Sequence, residues 1–170
     1  LINMGLAQDL KEGTKSSHSA AENTKFVTSF LRGVVDKSNY RELISNFYFV
    51  YDTLELEVKK HKDHPIVGPL NMPELYRYDA LAEDCDYFYG VDWADKIEPS
   101  DACKQYCNRI MEISDDDPEL LVGHHYTRYL GDLSGGQILK NIAQKALQLD
   151  GDGLAFYNFP DIADKKQFKM

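Results

Sequence analysis

Apolar residues recur along most of the chain at the three-to-four-residue spacing of an amphipathic helix. This spacing predicts helices over residues 5–23, 26–31, 39–60, 74–89 and 100–113, and a long helical pattern from residue 118 onward. No stretch of useful length alternates apolar and polar residues with the period of two that marks a strand. We therefore predict an all-α fold, a compact multi-helix array, with residues 1–170 forming one domain.

Polar residues and glycines mark where these helices begin and end. Asp36 or Ser38 is placed to cap the helix that follows, and Ser100 precedes another. Gly90 ends the helix before it, because glycine interrupts a helix readily. Asp161 is a possible cap for a last helix, which starts close to the end of the sequence.

The long pattern from Pro118 is unusual because Gly131, Gly135 and Gly136 lie in its interior. Each glycine costs a helix about 1 kcal/mol relative to alanine. Gly131 and Gly135 share one face, so another group can approach the backbone closely there, and the Ser-Gly-Gly run is a plausible kink. The glycines alone favour a neighbouring helix packed against them.

Two charged residues change that interpretation. Arg128 and Asp132 are four residues apart in the same segment, beside the glycines. They can form a simple ion pair worth a few tenths of a kcal/mol. A bare surface beside a carboxylate and a guanidinium is nevertheless more typical of a binding site.

The first predicted helix contains His18 on the face that carries Leu6, Leu10 and Thr14, so we expect its side chain to point inward. A lone inward histidine is usually a core residue. Glu22 follows one turn later and could bind the second ring nitrogen, as the partners of metal-ligating histidines do. Both interpretations stay open on spacing alone.

Composition and charge exclude several classes of function. The chain has a formal net charge of −9, which disfavours a nucleic-acid partner. No apolar run is long enough to span a bilayer, so we expect a soluble protein. Residues 1–41 nevertheless carry six basic and four acidic residues, a local basic excess. The three cysteines are expected to be reduced thiols.

Three stretches resemble the haem oxygenase family. HHYTRYLGDLSGGQILKNIAQKAL at 124–147 resembles its distal helix, LKEGTKSSHSAAEN at 10–23 the helix with the proximal histidine, and GLAFYNFPDI at 153–162 a third family segment. The resemblance extends over essentially the whole chain and is greatest to cyanobacterial or plastid members. It implies that haem lies between the first and distal helices, as both cofactor and substrate.

The resemblance also implies the reaction and its partners. Haem is cleaved at a meso carbon, with O2 and electrons, to biliverdin, carbon monoxide and ferrous iron. We expect ferredoxin as the electron donor, since an acidic donor suits basic residues such as Lys11 and Lys15. The product would enter bilin synthesis, in the cytoplasm or a plastid stroma.

Roles for single residues follow from the same resemblance. His18 is expected to ligate the iron with Glu22 behind it. Gly131 and Gly135 leave room for haem on the distal side, where the N–H of Gly135 could donate to bound oxygen. Asp132 is expected to hold ordered water for proton delivery.

The remaining expected contacts hold the edge of haem or support the site. Lys11, Tyr126 and Lys169 are expected to contact the propionates. Arg128 and Thr127 support the distal network. His125 has no expected role, although a second axial ligand there is conceivable.

Two other functions remain possible from the sequence. One is a haem sensor or carrier of the same fold without turnover. The other is a helical scaffold in which His18 is a core residue. Haem oxygenases normally continue through further helices, so we expect C-terminal helices to be missing or truncated here.

Overall fold

The computed structural model describes residues 3–169 and confirms the all-α prediction. Its helices are α1 (Asn3–Glu22), α2 (Lys25–Leu31), α3 (Lys37–Lys60), α4 (Tyr78–Tyr89), α5 (Asp101–Asp116), α6 (Leu121–His125), α7 (Gly135–Ala146) and α8 (Lys165–Phe168). Within residues 3–169 there is no β-strand, only an isolated bridge between Gly151 and Gly153. In the same range, no helix has both the length and the apolar character that crossing a bilayer requires.

Several predicted boundaries are correct. The Asp36 carboxylate accepts from the N–H of Asn39 at 3.3 Å, so Asp36 rather than Ser38 caps α3. Ser100 caps α5 by accepting from the N–H of Cys103 at 3.2 Å. Gly90 ends α4 with a φ of 86°, a conformation that favours glycine.

Two predicted boundaries are wrong. The helix expected from residue 74 begins at Tyr78, because Pro73–Leu75 forms a separate 3₁₀ turn before it. The last helix is capped by Asp164 and not by Asp161. The carboxylate of Asp164 accepts from the N–H groups of Lys166 and Gln167 at 2.8 and 2.9 Å.

The core is built around α3, which packs against both α4 and α5. Buried side chains of α3 include Tyr40, Ile44, Tyr51 and Leu54. The aromatic residues Phe156, Tyr157 and Phe159 are buried in the same core. Each large apolar side chain of this kind stabilises the fold by roughly 1.5–3 kcal/mol when fully buried.

Side chains at the start and middle of α4 hold the segment that follows α7. The Asp84 carboxylate accepts from the N–H groups of Ala155 and Phe156, both at 2.8 Å. The Arg77 guanidinium donates to the carbonyls of Phe156 and Asn158. Residues 155–158 are therefore fixed against the core, where they support the start of α7.

Candidate functional site

The predicted distal helix is broken into pieces. A 3₁₀ turn at Pro118–Leu120 leads into α6, and a π-helical segment follows at Tyr126–Leu130. Ser134 leaves the helical conformation, with φ −117° and ψ −92°, and α7 starts at Gly135. The kink at Ser-Gly-Gly is confirmed, whereas one continuous helix is not. We call residues 121–135 the distal segment. Both π turns and kinks free backbone groups for a ligand.

The glycines of the distal segment have two different roles. A Cβ atom built onto Gly131 or Gly135 would meet no atom of the described chain within 4 Å, and both residues are exposed. The packing interpretation is therefore wrong for these two. Gly136 is buried, and a Cβ there would lie 3.5 Å from the carbonyl oxygen of Gly131 and 3.7 Å from the Tyr157 ring. Gly131 and Gly135 thus present an open strip of bare backbone.

Asp132 lies behind this strip, inside the protein. Its side chain is 8% exposed and accepts a hydrogen bond from the hydroxyl of Tyr51 in α3. Burial raises the pKa of Asp132 to about 6, although the nearby charge of Arg128 and the Tyr51 hydrogen bond oppose that rise. The carboxyl group therefore titrates close to neutral pH.

Arg128 does not form the simple ion pair that spacing suggested. No nitrogen of Arg128 lies within the 4.0 Å ion-pair distance of the Asp132 carboxylate, so the two interact only through space. The π-helical turn between them alters the regular four-residue geometry. The guanidinium lies 5.4 Å from the centre of the Phe47 ring, and its Nε is buried without a partner.

Tyr51 and Gln137 are part of this site, and sequence reasoning missed their roles. Tyr51 lies on the buried face of α3, where apolar spacing alone predicts an ordinary core residue. Gln137 donates from Nε2 to the carbonyls of Asp132 and Tyr157 at 3.1 and 3.0 Å. It thereby joins the distal segment to buried Tyr157. No local signal in the sequence distinguishes either residue from an ordinary core or surface position.

His18 lies on α1 but does not point into the core. Its side chain is 72% exposed, which corrects the expected inward orientation and also removes the core-histidine interpretation. Its Nδ1 lies 3.5 Å from a carboxylate oxygen of Glu22. This position leaves Nε2 free of Glu22 and able to bind a ligand.

Two of the expected propionate residues lie close to the kink. Tyr126 and Lys169 line one cavity together with Leu6 and Leu10 of α1. The amine of Lys169 donates to the hydroxyl of Ser134 at 2.8 Å. The cavity therefore lies between the first helix and the distal segment, where the family resemblance places haem.

The other expected contacts lie elsewhere. Lys11 and Thr127 are exposed. Among the described residues of the cavity wall, neither of them nor His18 is present. The structure thus places Tyr126 and Lys169 at one cavity, with Lys169 bonded to Ser134 of the distal segment, and leaves Lys11, Thr127 and His18 on exposed surfaces.

Comparisons with known proteins agree on one family. The sequence model described as heme oxygenase matches residues 4–170. A heme oxygenase of Rhodella violacea is 56% identical over 171 residues, covering 100% of this chain and 73% of the relative. Heme oxygenase 1 of Nostoc sp. is 54% identical and covers 99% of this chain and 71% of the relative.

A solved structure gives the same result. The crystal structure of heme oxygenase-1 from the cyanobacterium Synechocystis sp., in complex with heme, superposes on this chain with a TM-score of 0.94. Its sequence is 53% identical, and the match covers 96% of this chain and 74% of that one.

Proposed function

The chain belongs to the haem oxygenase family and is a haem-degrading oxidoreductase, and we propose that a ferredoxin-type protein supplies its electrons. Its reaction is the O2-dependent cleavage of haem at a meso carbon to biliverdin, carbon monoxide and ferrous iron. The reaction uses haem as both substrate and cofactor. The assignment of single residues to steps of that reaction is part of the proposal.

The observation that carries the site assignment is the open strip at Gly131 and Gly135. A flat macrocycle needs a surface without side chains, and a Cβ at either position would occupy space that is open in the structure. The strip lies beside a buried carboxylate, which a simple carrier does not need. The residues present therefore fit haem on the distal side.

Bound haem supplies the iron that activates O2 and the carbon that is cut. The protein's part on the distal side is to handle protons. Asp132 can hold an ordered water network, because Tyr51 fixes one carboxylate oxygen and the group titrates near neutral pH. Gly135 is the first residue of α7, so its N–H lacks an acceptor within that helix and can donate to a distal ligand.

On the proximal side, His18 is the proposed iron ligand. Glu22 contacts Nδ1 and so fixes the ring and leaves Nε2 for the metal. The exposure of His18 on α1 means that the ring is accessible to haem without displacing core residues.

Charged side chains would orient haem at its edge. Lys169 and Tyr126 lie at one cavity beside the distal segment, and Lys11 is exposed on α1. Two ammonium groups and a phenol suit the two propionates of haem. Thr127 and Arg128 would support the distal network from the π-helical turn.

The proposed electron donor follows from charge. Residues 1–41 have a basic excess, although the chain as a whole is strongly acidic, and Lys11 and Lys15 are exposed on α1. An acidic ferredoxin would be attracted to this face. Similar proteins in cyanobacteria and algae support a role in bilin synthesis, in a cytoplasm or a plastid stroma.

A hemin titration followed by a single turnover tests the proposal. We expect one hemin to bind per chain, and reduced ferredoxin in air to convert it to biliverdin and carbon monoxide. Binding without product would favour a sensor or carrier. Product formed with another donor but not with ferredoxin would contradict only the donor assignment.

A further inference from the structure

Two of the three cysteines lie side by side where α5 packs against α3. Cys103 is in the first turn of α5 and Cys107 follows one turn later, so both thiols lie on the same face of the helix. Their Sγ atoms are 4.0 Å apart. All three cysteines are free, and the third, Cys85, is buried on a different helix, α4. Cys103 and Cys107 are therefore a dithiol whose geometry is fixed by α5.

The separation of the two sulfurs decides which kind of bond can join them. A disulfide bond is about 2.0 Å long, so the two Sγ atoms would have to move about 2 Å closer within a regular helix. Two sulfurs bonded to one atom at about 2.3 Å and a tetrahedral angle, as in a zinc site, are about 3.8 Å apart. The observed distance is close to this second value. The geometry therefore favours a single bridging atom over a disulfide.

The surroundings of the two thiols favour an uncharged product. The thiol of Cys103 donates to the carbonyl oxygen of Asn46 in α3 at 3.4 Å. The thiol of Cys107 donates to the carbonyl oxygen of Phe49 at 3.6 Å. Burial and the neighbouring Cys107 raise the pKa of the Cys103 thiol to about 12, so this thiol is protonated at neutral pH. A product that leaves negative charge on sulfur, against two carbonyl oxygens, is therefore disfavoured.

The number and charge of the ligands exclude the metals that thiols usually bind. Structural zinc takes four ligands, whereas within the described residues no three His, Cys, Asp or Glu side chains are placed to hold one ion. Copper(I) binds thiolates, but two thiolates would give it a net negative charge beside the carbonyls of Asn46 and Phe49. Trivalent arsenic in an organoarsenical forms two bonds to sulfur, keeps its carbon substituent and gives an uncharged product.

We propose that Cys103 and Cys107 form a binding site for trivalent organoarsenicals, with one arsenic atom bridging the two sulfurs. With phenylarsine oxide, the two S–H bonds and the arsenic–oxygen bond break and two arsenic–sulfur bonds form. Both protons leave with the oxygen as water, so no oxidant or reductant is consumed. The residues are 6% and 9% exposed, and Cys103 lies at the end of a helix, where local opening gives the reagent access.

Intact-mass spectrometry of the full chain in native buffer tests the proposal. We expect one adduct per chain, with the added mass of one phenylarsenic group minus two hydrogen atoms. The adduct should survive mercaptoethanol but be removed by dithiothreitol at the same thiol concentration, because a second bond within one chain strengthens binding about a hundredfold. An adduct that mercaptoethanol removes completely, or one that forms only in urea, would overturn the proposal.

Single-thiol variants identify the two sulfurs. Cys103→Ala and Cys107→Ala should each weaken binding of the arsenical about a hundredfold, because only one sulfur remains. Cys103→Ser is a second test of the same sulfur if the alanine variant does not fold. Cys85→Ala is the matched control, since it removes the thiol outside the pair, and it should leave the affinity unchanged. An adduct that resists mercaptoethanol in either pair variant, or that is lost in the control, would contradict the assignment.

The site goes beyond the proposed function and shares no residue with the proposed haem contacts. Because the measurement is made on the haem-free chain, failure of hemin to bind would contradict the haem assignment without changing this result. With one equivalent of hemin, we expect the arsenical to bind with less than a threefold change in affinity. Complete loss of the adduct in the presence of hemin would overturn the proposal of a separate dithiol site.

Discussion

The hydroxyl of Tyr51 in α3 donates a hydrogen bond to the carboxylate of Asp132, although the two residues are 81 positions apart in the chain. The bond lies inside the protein, where charge-assisted hydrogen bonds are stronger than at the surface. It fixes the orientation of the one buried carboxyl group of the distal segment. The proton chemistry of the site therefore depends on α3 as well as on the distal segment.

We expect Tyr51→Phe to shift the acidic limb of the single-turnover pH profile to higher pH. The lost hydrogen bond stabilises the charged carboxylate, so its removal raises the pKa of Asp132 further above its present value of about 6. The rate of biliverdin formation measured between pH 5 and 8 reports this shift.

Tyr48→Phe is the matched control, because the Tyr48 hydroxyl lies on the same helix but donates to the hydroxyl of Tyr78 at 3.0 Å. Its profile should equal that of the wild type. Identical profiles for all three proteins would show that Asp132 does not set the acidic limb.

The contribution of Asp132 to the free energy of unfolding should fall as the pH rises from about 4 to 6, whereas buried His125, whose pKa is lowered to about 4, contributes a rise in the same window. Burial raises the folded-state pKa of Asp132 from 3.8 to about 6, so the native state binds more protons than the unfolded state in that window. For this one group the effect is on the order of 3 kcal/mol. Asp132→Asn should remove this contribution, so that between pH 4 and 6 the free energy of unfolding of the variant rises more, or falls less, than that of the wild type, as measured by urea unfolding at a series of pH values.

Asp84 also lowers the free energy of unfolding as the pH rises from about 4 to 6, since burial raises its pKa to about 6 as well. In the Asp132→Asn variant, the number of protons released on unfolding should therefore be smaller by about one. The contribution of Asp84 should remain. If the free energy of unfolding of this variant depended on pH as that of the wild type does, Asp132 would not have a raised pKa in the folded protein.

Gly131→Leu should weaken hemin binding at least tenfold and leave stability nearly unchanged. The new side chain enters open space, so it strains nothing in the haem-free protein and only blocks the ligand. A hemin titration followed by absorbance, together with chemical unfolding, measures both effects.

Gly136→Leu is the contrasting variant. Its side chain would meet the Gly131 carbonyl and the Tyr157 ring, so we expect a loss of about 1–3 kcal/mol in the free energy of unfolding. Equal stability losses in the two variants would show that the strip at Gly131 is packed rather than open.

Lys169→Met should weaken hemin binding several-fold without abolishing it. The ammonium group lies at the cavity shared with Tyr126, where it is placed to contact a propionate. Lys165→Met, at the first residue of α8 and outside the cavity wall, is the control, since Lys169 directly follows that helix. Loss of affinity in the Lys165→Met variant alone would place the propionate contact at the start of α8 and not at Lys169.

Much of the fold followed from local patterns, because helices are encoded by spacing and caps within a few residues. The α3 and α5 starts at Asp36 and Ser100 are of this kind. Local patterns did not predict the start of α4, because Pro73 begins a 3₁₀ turn that an apolar pattern alone does not distinguish from a helix.

The residues of the site likewise fall into those that local sequence predicts and those that depend on distant contacts. Gly131, Gly135 and Asp132 were identified because they break the rules of an ordinary helix. Tyr51 and Gln137 were missed because their importance comes from contacts with distant residues. The orientation of His18 was wrong for a related reason: helical spacing relates it to Leu10 but does not determine which face of α1 is covered.

The hydrogen bond from Gln137 to the Tyr157 carbonyl also constrains the order in which the site can form during synthesis. A chain is made from its N-terminus, so α3 and the distal segment leave the ribosome before residues 155–158. Until those residues are held by Asp84 and Arg77, Gln137 has only one of its two carbonyl partners. The carbonyl contacts that fix Gln137 are therefore complete only after residues 155–158 have been synthesised, although Gly131, Asp132 and Gly135 are made earlier.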